Sequence, residues 1–210
     1  TTQGPCTVES CTLGGGGGGT GGAGAGGAPA APNAGNITLT GGSRDVTLTP
    51  QADGTYGVDV DGSNPLFAGG NSITMAGAGA DVPAFSQAVT APSLIELTAP
   101  TFVTNNLTVN TTSDLVLTWT GGTTGSVLLR LTGADASNAV TVKCEFDASN
   151  GTGTAPTAAL SPLQGLGSGT ASINNLGTET ISAGAWEVLL SLSVMATQSS
   201  GMATGTATFN

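Results

Sequence analysis

The residue types that usually carry chemistry are few in this chain, and their spacing suits few reactions. Cys6 and Cys11 flank Thr7-Val8-Glu9-Ser10, a spacing that closes a small disulfide loop in an oxidising compartment. Cys144 shares the phase of Val140, Val142 and Phe146 in an alternating run, so it reads either as a buried free thiol or as a bridge to Cys6 or Cys11. Three cysteines with no fourth ligand in view make no metal site. The chain has no His, which removes the commonest general base, the commonest zinc ligand and any Ser-His-Asp triad. Asp59-Val60-Asp61-Gly62-Ser63-Asn64 has the alternating oxygens of a calcium loop. Its glycine stands at the fourth position, however, and Gly70 occupies the place of the closing Glu, so Asp-Gly turn chemistry accounts for it. The carboxylates are scattered singly. Glu145, Asp147, Glu179 and Glu187 form the one modest group, which suits a solvated sheet face. No catalytic residue, cofactor or metal is therefore assigned. Of the aromatics that could stack on a sugar, Tyr56, Trp119 and Trp186, alternation sends Trp119 to the core and leaves Trp186 as the candidate for ligand stacking. Asn36, Asn106, Asn110 and Asn150 each precede a Thr by two, as N-glycan acceptors do, and a Thr-rich chain produces such triplets by chance.

These residues sit in a chain with 13 acidic and 3 basic side chains, net charge −10 and only 8% charged residues, which provides no basic footprint for nucleic acid. Mean hydropathy is +0.20 with 38% hydrophobic residues, enough to collapse despite 35 glycines. The longest apolar run, Val188 to Met195, is strand-length and broken by serine, so no membrane span is expected. Thr1 at the start reads as the end of a processed, secreted product, and a Thr there instead of Cys gives no acylated terminus.

The elements follow from periodicity. Residues 14–27 are almost all glycine; neither a strand before nor a Lys-Ser/Thr after makes them a phosphate loop. Ordering such a tract requires neighbouring backbone for its N–H and C=O groups, which adjacent subunits would supply. From Asn36 onward the apolar residues alternate in short runs bounded by Gly, Asn, Asp and Pro, the pattern of strands and turns. Only 155–163 suits a helical turn. The strongest strands are Asp114–Thr120, Ser126–Leu131, Val140–Phe146, Gly169–Ile173, Ala185–Val194 and Gly205–Phe209, at the spacing of an antiparallel sandwich. Three parts are expected: a Cys-containing, Gly-rich arm at 1–35, a β-rich region at 36–98 and a β-sandwich at 99–210.

The Pro100–Trp119 run, a Pro-led strand followed by Asp114-Leu115-Val116-Leu117-Thr118-Trp119, resembles the opening of immunoglobulin-like and fibronectin-type-III-like domains. Leu117-Thr118-Trp119-Thr120-Gly121-Gly122, Val142-Lys143-Cys144-Glu145-Phe146 and Ala183-Gly184-Ala185-Trp186-Glu187-Val188 are similar to segments of secreted β-sandwich proteins of gliding, predatory soil bacteria. The resemblance covers about half the chain and implies an all-β, antiparallel, immunoglobulin-like sandwich. It implies no activity. The paired cysteines and tyrosine corner of antibody domains are missing.

Sparse charge, dense Thr, Ser and Gly, and aliphatic strands suggest a secreted extracellular structural protein, a homopolymer forming a fibre, pilus-like appendage or surface layer. In that reading the arm at 1–35 contacts a neighbouring subunit, and Ile37–Thr49 completes a neighbour's sheet. The alternative is a monomeric secreted adhesin or carbohydrate-binding module that contacts glycans or a cell surface.

Overall fold

A computed structural model of the 210-residue chain describes residues 1–12, 32–51, 53, 55–57 and 65–210. The glycine tract and the Asp59–Asn64 turn lie outside the described residues. In chain order the strands are β1 (Thr2–Gln3), β2 (Cys6–Thr12), β3 (Ile37–Thr40), β4 (Val46–Leu48), β5 (Ser72–Gly77), β6 (Phe85–Thr90), β7 (Glu96–Ala99), β8 (Asn106–Val109) and β9 (Leu115–Thr120). They continue with β10 (Ser126–Ala134), β11 (Asn138–Asp147), β12 (Thr152–Ala155), β13 (Ser168–Ala183), β14 (Trp186–Met195), β15 (Thr197–Gln198), β16 (Gly201–Met202) and β17 (Thr204–Phe209). One short helix, α1 (Thr157–Leu160), runs into a 3-10 turn at Ser161–Leu163, where the sequence placed its helical turn. The fold is all-β.

Two compact units divide the chain. One comprises Thr1–Gly17, Pro92–Leu176 and Ser193–Asn210, and the other Gly18–Ala91 and Gly177–Leu192. This division is not sequential, unlike the expected 1–35, 36–98 and 99–210. The pairing partner of β2 is β11, far along the chain, and local composition carries no trace of such a partner.

The first unit holds two sheets, ordered β1-β2-β11-β10-β13-β17-β8 and β12-β9-β7-β15-β16. Alternation fills the space they share. Leu117 and Trp119 of β9, Val127, Leu129 and Leu131 of β10, and Val142 and Phe146 of β11 belong to one buried cluster. Each aliphatic side chain buried there contributes about 1.5–3 kcal/mol. The Trp119 indole N–H donates to the Ala148 carbonyl at 2.8 Å, which satisfies the one polar atom this large side chain brings inside. Buried Gln198 behaves as a piece of strand: its Oε1 accepts from the Phe102 N–H at 3.0 Å while its Nε2 donates to the Phe102 carbonyl at 3.0 Å. Two pairings, β17 with β8 and β15 with β7, are parallel, which corrects the purely antiparallel expectation.

The N-terminal residues are part of this unit. β2 pairs with β11 from Asn138↔Thr12 to Cys144↔Cys6, and a disulfide joins Cys6 to Cys144, leaving Cys11 exposed and free. The Cys6–Cys11 pairing is thereby overturned. Both residues lie in one extended strand, where five steps separate them by about 17 Å, and their odd spacing points them to opposite faces. The arm expected at 1–35 is, over residues 1–12, strands of the chain's own sheet. Within Ile37–Thr49, β3 already lies between β4 and β5, while β4 is an edge strand of its sheet.

The second unit is the four-stranded sheet β4-β3-β5-β6 together with the distal parts of β13 and β14. Ile73 and Met75 of β5, Phe85 and Val89 of β6, and Ala183, Leu190 and Leu192 form its core. The Tyr56 hydroxyl accepts from the Ala34 N–H and donates toward the Gly35 carbonyl, both at 2.9 Å, which ties Tyr56 to the Ala34–Gly35 backbone.

Turns and loops are tied by aspartates whose carboxylates accept hydroxyl and backbone N–H donors, Asp114 from a residue distant in sequence. Asp147 takes the Ser149 hydroxyl and N–H, Asp114 those of Thr157, and Asp135 the N–H groups of Ser137 and Asn138. Hydrogen bonds from the Ser149 and Thr157 side chains hold Asp147 and Asp114 below the ordinary value of 3.8, and backbone bonds do the same for Asp135. A lowered folded-state value gives stabilisation that is present above pH 3.8 and is lost as pH falls through the folded value. These turns should therefore leave the thermal midpoint unaffected down to about pH 5 and contribute to its fall below about pH 4, and Asp147→Asn should reduce that acid sensitivity. Thermal melts across pH check this.

The disulfide predicts a thiol count. Without reductant the native chain should alkylate at Cys11 alone, read by mass spectrometry. The double variant Cys6→Ser/Cys144→Ser should lose about 2–5 kcal/mol of stability, since the bridge closes a loop with a sequence separation of 138.

Candidate functional site

The outward face of the large sheet is built by the same alternation that fills the core. With Val127, Leu129 and Leu131 inward, Leu128, Arg130 and Thr132 of β10 point out; with Val140, Val142 and Cys144 inward, Thr141, Lys143 and Glu145 of β11 point out. The strand registers then line up rows across the sheet. One row runs Glu9, Thr141, Thr132, Thr170, Thr206 and Asn106, each residue the registered partner of the next. Its neighbour runs Thr7, Lys143, Arg130, Ser172 and Thr204.

The second row concentrates charge. Of the chain's three basic residues, two are directly opposed across β10 and β11. Like charges in that position repel and cost a few tenths of a kcal/mol up to about 1 kcal/mol. Lys143 is compensated: its Nζ sits 3.0 Å and 3.1 Å from the two oxygens of Glu9, in an exposed pair that contributes little to stability. Arg130 has no carboxylate within ion-pair reach among the described residues. Its exposed side chain borders a shallow open groove lined by Thr132, Thr170, Ser172, Thr204 and Gly205. The Thr132 and Thr141 hydroxyls stand 3.4 Å apart, and that of Thr204 reaches the Ala171 carbonyl, whereas those of Thr170 and Ser172 have no protein partner among the described residues.

Such a groove offers a guanidinium and several hydroxyls to a hydrated, hydroxyl-bearing ligand. It contains no activated nucleophile and no general base. Among the described residues no three His, Cys, Asp or Glu side chains converge as metal ligands. The four acids grouped by sequence separate, Glu145 and Asp147 into the first unit and Glu179 and Glu187 into the second. Trp119 is buried, as its alternation requires, and Trp186 lies at the start of β14 with 42% of its surface exposed. Sequence reasoning passed over Arg130 and Lys143. The signal was present: both occupy the outward phase of strong alternating strands on either side of the Asp135–Asn138 turn, so counting outward from that turn brings them opposite one another.

No family model matches the chain, and no curated protein does. A solved structure described as a "Ca2+-stabilized adhesin" that "helps an Antarctic bacterium reach out and bind ice" is similar over 80% of this chain and 41% of its own, at 19% identity and a TM-score of 0.22. The chain thus spans less than half of that structure's chain, and a likeness at that score carries no inference.

If Arg130 is not held for stability, Arg130→Gln should leave the thermal midpoint unchanged or slightly raised, within about 0.5 kcal/mol, because it removes a like-charge pair and breaks no bond. A clear destabilisation in chemical denaturation would contradict this description of the face.

Proposed function

We propose that the chain is a secreted, non-enzymatic binding module of the adhesin kind, which presents the outer face of its large sheet to hydroxyl-rich material on a surface. The observation that carries this reading is the pair of registered polar rows, with Arg130 lacking an ion-pair partner among the described residues beside the hydroxyls of Thr170 and Ser172. A polar sheet face that keeps a cation against a like-charged neighbour is better suited to contact than to stability. The Cys6–Cys144 disulfide supports an oxidising compartment, and no described helix is long and apolar enough to cross a membrane.

Polymerisation by strand addition has weaker support. The large sheet ends on β1, of two residues, and β8, of four, and the second sheet on β12, of four, and β16, of two, whereas β14, of ten, pairs only with β13 among the described strands. Short edge strands disfavour the addition of further strands, so any addition would fall at β14 or at β6, the six-residue end of the four-stranded sheet. Residues 1–12, assigned by composition to a neighbour, are bonded and disulfide-linked within their own unit.

Purified protein should behave as a dispersed particle of about 20.1 kDa and be retained on some members of an immobilised polysaccharide panel. Regular filaments under electron microscopy, with no retention on any polysaccharide, would overturn the reading in favour of a fibre subunit. Trp186→Ala on the same panel tests whether that side chain also stacks on sugar.

A further inference from the structure

We infer that the groove at Arg130 is a subsite for a carboxylate-bearing sugar, so that the material bound is an acidic polysaccharide; this rests on the binding-module reading above. Charge complementarity is the first support. The chain has a net charge of −10, yet two of its three cations are neighbours on one face, in a register that costs stability. Glu9, in the adjacent row, pairs with Lys143 alone. The remaining positive charge lies on the guanidinium, whose planar fork matches a carboxylate in two parallel hydrogen bonds.

The surroundings decide what kind of carboxylate. Arg130 is flanked on the β13 side by Ser172, and the adjacent row places Thr132 beside Thr170. These hydroxyls both donate and accept, as ring hydroxyls of a sugar require. An acidic peptide would need an apolar pocket for an anchoring side chain. The lining of this groove has no large apolar side chain. Glu145 shares the outward face one step further along β11, opposite Leu128, and does not line the groove. A densely charged polymer would meet it and Glu9, so spacing between carboxylates matters, and one acid per sugar unit suits the one guanidinium that borders the groove.

The test measures binding of the full chain to alginate, a polyuronate, with dextran as the neutral sugar polymer and polyglutamate as the peptide polyanion. Alginate should bind in low salt and weaken as salt screens the pair, while dextran and polyglutamate bind much less. Arg130→Gln should weaken alginate binding by about tenfold or more with an unchanged melting temperature, and Arg130→Lys should fall between the two, since a lysine keeps the charge but not the fork. Glu9→Gln frees Lys143 and should tighten alginate binding by several-fold, a gain that a purely structural role would not produce. Thr132→Val with Thr170→Val should weaken alginate binding. Equal binding by Arg130→Gln, or polyglutamate bound as well as alginate, would overturn the proposal. Retention on other polysaccharides without alginate binding overturns it while leaving the binding module in place, and retention on none removes both.

Discussion

In the larger unit the decisive constraint is the register in which β10 is held between β11 and β13. A strand has a period of two, so a slip of one residue would turn every side chain to the other face. With Leu129 opposite Cys144 on one side and Ile173 on the other, the aliphatic residues of three strands meet in one core. The same register sets Arg130 against Lys143 on the outside, and the further pairing of β11 with β2 sets Cys144 opposite Cys6. Core and polar face follow from the first pairing and the disulfide from the second.

A chain so poor in charge must hold its loops by other means, and it uses backbone groups and short polar side chains. Buried Asn175 donates to the carbonyls of Ser93 and Thr124, both at 2.8 Å, which ties two loops to β13. Its own Oδ1 lies against the hydrogen-only face of Gly125, whose φ of +101° and lack of a Cβ leave the space for it. Ser93 returns the favour to the second loop, its hydroxyl accepting the N–H groups of Thr123 and Thr124. Against this background Arg130 stands in the middle of a sheet with hydroxyls around it and no carboxylate within ion-pair reach among the described residues. That contrast makes the large-sheet face the place where function is most reasonably sought.

The N-terminus shows how a compositional reading goes astray. Residues 1–12 precede a glycine tract and carry two closely spaced cysteines, so they resemble a tethered arm with a small loop. They are instead an ordered border of the large sheet, with Cys6 fully buried beside Cys144. The error lies in treating nearness along the chain as nearness in space, since the sequence spacing of cysteines says little once one of them lies in a strand.

Much was legible in the residues themselves. The all-β class, the strands β9, β10, β11, β14 and β17 and the start of β13, the buried Trp119, the short helical turn near Thr157 and the lack of histidine chemistry all follow from local alternation, turn residues and composition, which need no knowledge of partners. What only the tertiary structure decided was everything that depends on pairing at long range: the two parallel pairs, the place of β2, the division into interleaved units, the Cys6–Cys144 bond and the adjacency of Arg130 with the threonine rows. Alternation tells a strand which side chains share a face, but it is silent on which other strand lies beside that face. The candidate site is made of that second kind of information, so its parts were visible in the sequence and its assembly was not.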